Sequence, residues 1–115
     1  MDPIKKLTNR IISFRNKRNW KQFHNPKDVS LSLVLEATEV MEHFQWKSAE
    51  EMQEHVKKHR TEISEELADV LYWVLLMSHD LKIDIKDALE RKIAINEKKY
   101  PAAKAKGRHT KYNEL

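Results

Sequence analysis

The sequence contains no cysteine. That removes disulfides, zinc–thiolate centres and thiol nucleophiles together, and it fits a cytoplasmic protein. Glycine occurs once, at Gly107. Folds that cradle phosphate with backbone amides need glycine-rich turns, so a P-loop and a dinucleotide-binding turn are both excluded. If this chain handles phosphate, it must do so with a metal and side chains. The longest apolar stretch, Val70 to Met77, falls far short of the roughly 20 residues that cross a bilayer, so no membrane association is expected. The N-terminus, Met1-Asp2-Pro3-Ile4-Lys5-Lys6, lacks the apolar run of a signal peptide. Nothing reads as a strand with hairpin chemistry, and there is neither an internal repeat nor a low-complexity tract. Glu-x-x-His, the di-iron bundle signature, is missing, as is the His-Glu-x-x-His of zinc proteases.

What remains is helical. The 115 residues suit one domain, and with 40% hydrophobic and 35% charged residues they read as a soluble globular chain. Asp2 can cap a first helix with Pro3 at its first position, and Ile4, Leu7, Ile11 and Phe14 mark one buried face at spacings of three and four. The connection from Trp20 to Pro26 carries two aromatics and a histidine. A second helix is expected from about Asp28 to Gln45, and Ser48 with Glu51 forms a capping box that starts another. The stretch 50–60 is charged and should be exposed. A long helix should run from about Thr61 to Leu81, and a last one, capped by Asp84, should end before Pro101. Residues 102–115 show no apolar period and are expected to be an irregular tail. The expectation is an all-α fold with four principal helices in a bundle over residues 1–101.

Two of these helices carry acids in unusual surroundings. Around the second helix, Leu31, Leu33, Val34, Leu35, Ala37, Val40, Met41 and Phe44 cover most of the circumference. One narrow sector is left, holding Ser32, Glu36, Glu39 and His43. A helix apolar nearly all round is expected to be buried, which points Glu36 and Glu39 into the interior or a cleft. In the long helix, Asp69 is the only charge between Leu67 and Met77. Glu66 precedes it by three residues and Trp73 follows by four, along one stripe. Burying lone carboxylates is costly, and carboxylates facing one another need a proton or a cation between them. An oxygen-rich cluster of this kind suits a hard cation such as Mg²⁺, with Mn²⁺ as a substitute.

These residues resemble the MazG-like superfamily of all-α nucleoside triphosphate pyrophosphohydrolases, and most nearly its dCTP pyrophosphatase branch. The motifs are Glu36-Ala-Thr-Glu39 and Glu66-Leu-Ala-Asp69. They are framed by Trp20-Lys-Gln-Phe-His24, Phe44-Gln-Trp46 and Lys92-Ile-Ala-Ile-Asn96-Glu-Lys-Lys99-Tyr100-Pro101, in the family's order. The resemblance implies hydrolysis of a (deoxy)nucleoside triphosphate between the α- and β-phosphates, giving a monophosphate and pyrophosphate. It implies Mg²⁺ on Glu36, Glu39, Glu66 and Asp69, which are thereby the catalytic acids as well. Trp20, Phe23, His24, Trp46 and Trp73 would line the nucleoside pocket, and Lys92, Asn96, Lys99 and Tyr100 would contact phosphates and sugar. It also implies a homodimer or homotetramer and no stable nucleic acid partner. Related chains can carry tyrosine where this one has Trp73 and histidine where it has Ile11, so base preference stays open between dCTP and a related or modified pyrimidine nucleotide. The formal charge of +4 leaves one competing reading, a non-enzymatic basic helical module that binds nucleic acid or a protein. Such a module would have no reason to bury Asp69.

Overall fold

The computed structural model describes residues 1–115 and is helical throughout, without strands. The helices are α1 (Pro3–Lys17), α2 (Pro26–Glu42), α3 (Ala49–Lys58), α4 (Arg60–Asp80), α5 (Ile85–Lys99) and the single turn α6 (Ala102–Ala105). The all-α class therefore holds, with α3 added to the four principal helices. Residues 102–115 are not wholly irregular. They form α6 and a 3₁₀ turn at Tyr112–Glu114. No helix is long and apolar enough to cross a membrane.

Local chemistry explains the helix starts. The Asp2 carboxylate accepts from the Ile4 N–H at 2.8 Å, with Pro3 in the first turn where its missing N–H costs nothing. Ser48 and Glu51 satisfy each other's backbone N–H reciprocally, and Asp84 accepts from the Asp87 N–H at 3.0 Å. The second helix begins two residues before Asp28, because the Asn25 side chain accepts from the Asp28 N–H and Pro26 takes the first turn. It ends at Glu42 rather than Gln45, the chain turning through residues 43–46 to a left-handed Trp46. With one glycine available, other side chains take up left-handed backbone: Asn19 follows α1 and Lys82 follows α4. Each such residue costs roughly 1–2 kcal/mol.

Two compact units divide the chain at Lys82 and Ile83. In the first, α4 is central, with α2 its main partner and α1 and α3 against it as well. The buried residues are few: Leu75, Leu76 and Ser78 of α4, Val29 of α2 and Arg15 of α1. The second unit holds α5, α6 and the final turn, where Tyr100 meets Tyr112 edge-on at 6.1 Å.

The expectation that α2 is buried nearly all round is corrected. Leu31, Val34, Leu35 and Met41 are each more than half exposed, and Leu67 and Leu71 of α4 are exposed as well. A single chain offers α2 one packing partner of any extent, α4, so only one of its sides is covered.

Candidate functional site

Glu36 and Glu39 lie one turn apart on α2, and Glu66 and Asp69 one turn apart on α4, its main packing partner. Glu39, Glu66 and Asp69 are each within electrostatic reach of Glu36. Burial first, then the charge of Glu39 and a hydrogen bond shared with it, then Asp69 and Glu66, hold the Glu36 carboxyl above the usual carboxylate range. Its Oε2 is buried and has no hydrogen-bond partner. The acids are less enclosed than the sequence suggests: Glu36 and Glu66 are half-buried, whereas Glu39 and Asp69 are exposed. The reason is the uncovered apolar face around them, from Leu31 to Leu35 and at Leu67 and Leu71. No three His, Asp or Glu side chains are already gathered about one point as they would be around a bound ion. The donor set nevertheless fits a hard cation. All of the oxygens are carboxylate, two of them (Glu36 Oε2 and Glu66 Oε2) are buried without a hydrogen-bond partner, and no lysine or arginine pairs with any of these four acids.

Beside this cluster, two histidines tie three helices together. His43, just past the end of α2, turns Nε2 onto Glu66 Oε2 in an ion-pair contact. Its Nδ1 lies 2.6 Å from Nε2 of His55 on α3. His55 stacks on His59 at 4.4 Å, and His59 Nδ1 lies 3.2 Å from a Glu62 carboxylate oxygen.

Further along α4, a cleft of about 380 Å³ is lined by Arg15, His24, Asn25, Pro26, Val29 and Asp80 among others. Arg15, only 1% exposed, donates two hydrogen bonds to Asp80, at 2.7 and 3.0 Å. His24 Nδ1 stands 3.5 Å from the Arg15 guanidinium, and its ring meets Trp73 edge-on at 5.5 Å. Burial and the Arg15 charge push the His24 pKa down, with Asp80 opposing them. His24 and Trp73 are thus brought together on one side of this unit.

The remaining aromatics are more open. Trp20 packs edge-on against Phe14 at 5.7 Å, and Phe23 is exposed. Trp46 is 91% exposed and held at φ 68°, an unusual posture for a bulky apolar side chain. In the second unit, Lys92, Asn96 and Tyr100 are exposed, while Lys99 is half-buried with Nζ 4.6 Å from the centre of the Tyr112 ring. Sequence reasoning passed over Arg15, Asp80 and His55. A buried cation on an amphipathic first helix and an acid at the end of a long apolar one were the available signals for the first two.

Comparison with known proteins fits this arrangement. The model of the MazG-like family matches residues 31–115. The chain belongs to the MazG-like family. This MazG-like chain is 38% identical over 104 residues to dCTP pyrophosphatase 1 of Homo sapiens, covering 89% of itself and 61% of that protein. It is 36% identical, with the same coverage, to dCTP pyrophosphatase 1 of Mus musculus. It therefore spans less than two thirds of the length of these relatives. Among solved structures, a pyrophosphatase from Archaeoglobus fulgidus superposes with a TM-score of 0.82 at 34% identity, over 88% of this chain and 94% of that one.

Proposed function

We propose that this MazG-like protein hydrolyses nucleoside triphosphates to the monophosphate and pyrophosphate, using a divalent cation, with dCTP or a related or modified pyrimidine deoxynucleotide as substrate. The carrying observation is the crowding of four carboxylates around a Glu36 oxygen that is buried without a donor. Such a cluster repels itself until positive charge enters it. Glu36, Glu39, Glu66 and Asp69 would hold the ion, for which Mg²⁺ is the natural choice and Mn²⁺ a substitute. The ion would neutralise triphosphate charge and make a bound water more acidic. We assign Glu39 to accept the proton from the attacking water, because it is exposed and lies beside the Glu36 carboxyl.

Trp20, Phe23, His24, Trp46 and Trp73 are assigned to the nucleoside. The openness of Trp46 supports this, since an indole 91% exposed stabilises no core and is free to stack on a base. Lys92, Asn96, Lys99 and Tyr100 are assigned to phosphates and sugar on the strength of their shared motif. The pyrimidine preference rests on the human and mouse relatives being dCTP pyrophosphatases. The exposed leucines and valine of α2 and α4 support assembly as a homodimer or homotetramer that covers them.

A panel of deoxynucleoside and nucleoside triphosphates, with Mg²⁺ or Mn²⁺ supplied, tests this reading by pyrophosphate release. Turnover should be highest with a pyrimidine deoxynucleotide. Release from none of them would refute the proposal. Glu39→Gln and Asp69→Asn should each lower kcat by about 10³-fold or more, equivalent to roughly 4 kcal/mol, while circular dichroism stays helical.

A further inference from the structure

The contact between His43 and Glu66 has a consequence for how the acid cluster is held. The His43 side chain is 13% exposed and that of Glu66 26%, so both are largely withdrawn from water. The contact is one of charge and packing: the histidine ring lies against an anionic oxygen that has no aligned hydrogen bond from any donor, His43 included. The other nitrogen, Nδ1, is met by His55 Nε2 at 2.6 Å, so the ring cannot turn over without breaking a second contact. His55 is itself pinned, stacked on His59 at 4.4 Å and edge-on to Phe44 at 6.3 Å. The result is a brace reaching from α3 through the end of α2 to one carboxylate of α4. It engages one oxygen of Glu66 and leaves the other free. Glu66 Oε2 is buried and has no hydrogen-bond partner, so the ion-pair contact with His43 is its only polar neighbour.

Glu66 needs such a brace more than the other acids do. With the Glu36 carboxylate near, repulsion favours its swinging away into solvent, and neither a lysine nor an arginine restrains it. A long side chain that must be reordered on each binding event weakens a site, and outer partners that fix a ligating carboxylate are typically worth 10- to 100-fold in metal affinity.

We propose that His43 is a positioning residue which, held in one orientation by His55, fixes the Glu66 carboxylate for cation binding. This rests on the reading of the four acids as the cation site. The test is Mn²⁺ binding by isothermal titration calorimetry on the full chain, without nucleotide, alongside Mn²⁺ activation of pyrophosphate release. His43→Leu should weaken Mn²⁺ binding about tenfold. His43→Gln, whose amide N–H reaches to about the same point as Nε2, should recover most of that loss. His55→Leu, which leaves the ring contacting Glu66 in place but unpinned, should give a smaller loss in the same direction. KM for the triphosphate at saturating Mn²⁺ should be unchanged in all three, whereas damage to packing would move it too. Wild-type affinity in His43→Leu and His55→Leu overturns the proposal. So does tighter binding in His43→Leu, which would make His43 a competitor of the cation. Failure of the wild-type protein itself to bind Mn²⁺ overturns the four-acid cation site, and this inference falls with it; binding by the wild type with no change in the variants removes the brace alone.

Discussion

At the C-terminal end of α4 an acid meets its counter-charge; about three turns earlier on the same helix, two acids meet more acids. Asp80, at the end of α4 where a negative charge opposes the helix dipole, is held by two hydrogen bonds from a guanidinium that is almost wholly buried. Glu66 and Asp69 face Glu36 and Glu39, and the nearest polar relief is one histidine. The buried residues Leu75, Leu76 and Ser78 lie toward the paired end, and the exposed Leu67 and Leu71 toward the unpaired one. One end of the helix is built for stability, and the other gives up stability to keep anionic oxygens together.

The sharpest way to break this contrast is at the paired end. Arg15→Met keeps most of the buried volume but strands Asp80. Removing one partner of a buried ion pair costs about 3–5 kcal/mol, and Asp80, whose side chain is 27% exposed, can turn partly to water, so about 3 kcal/mol is expected. Urea denaturation would measure it as a lower midpoint with the slope unchanged. Arg15→Met with Asp80→Met should regain most of the loss, since an apolar pair needs no counter-charge. A single variant as stable as wild type would show that Arg15 does not hold this end.

The opposite result is expected at the acid end. Glu36→Gln removes the charge that its neighbours disfavour, so with chelator present it should raise Tm, by about 2–4 °C, while impairing cation binding. The pH dependence follows from the same shift. Because the folded pKa lies above the ordinary 4.5, the folded chain holds a proton that the unfolded chain has already lost. Stability of the metal-free protein therefore falls as pH rises from 4.5 through the raised value, and Glu36→Gln should flatten that fall. Divalent cation should raise the wild-type Tm above this range and leave the variant nearly unmoved. A lower Tm for Glu36→Gln in chelator would mean the cluster is not under electrostatic strain.

The same contrast separates what the sequence discloses from what it conceals. Asp2, the Ser48–Glu51 box and Asp84 announce helix starts because each cap acts within three residues. The two acid pairs were legible for the same reason, each being one turn of one helix in apolar surroundings. Arg15 and Asp80 are 65 residues apart, and nothing local to either predicts the other. His43 stood in the polar sector of α2, but its ring meets His55 from another helix, which no spacing rule reaches. The burial of α2 was misjudged because composition shows that a face is apolar without showing what covers it. Leu31, Val34 and Leu35 remain open on a lone chain for want of a second partner.

The finest probe lies where His24 reports on the paired end. Its folded pKa is below the ordinary 6.5, chiefly through burial and then through Arg15, so the unfolded chain takes up a proton that the folded His24 refuses. Stability should therefore decline as pH drops below 6.5, the reverse of the Glu36 dependence, and His24→Gln should remove that part of the slope. Urea midpoints across a pH series would resolve it, the effect being the smallest of those considered because Asp80 partly offsets the shift. Arg15→Met gives the decisive control. With the guanidinium gone, the Asp80 carboxylate faces His24 without its partner and favours the protonated ring, so the decline should shrink or reverse. An unchanged slope in that variant would mean that burial alone sets the His24 pKa, and that the ion pair stabilises the paired end without tuning its histidine.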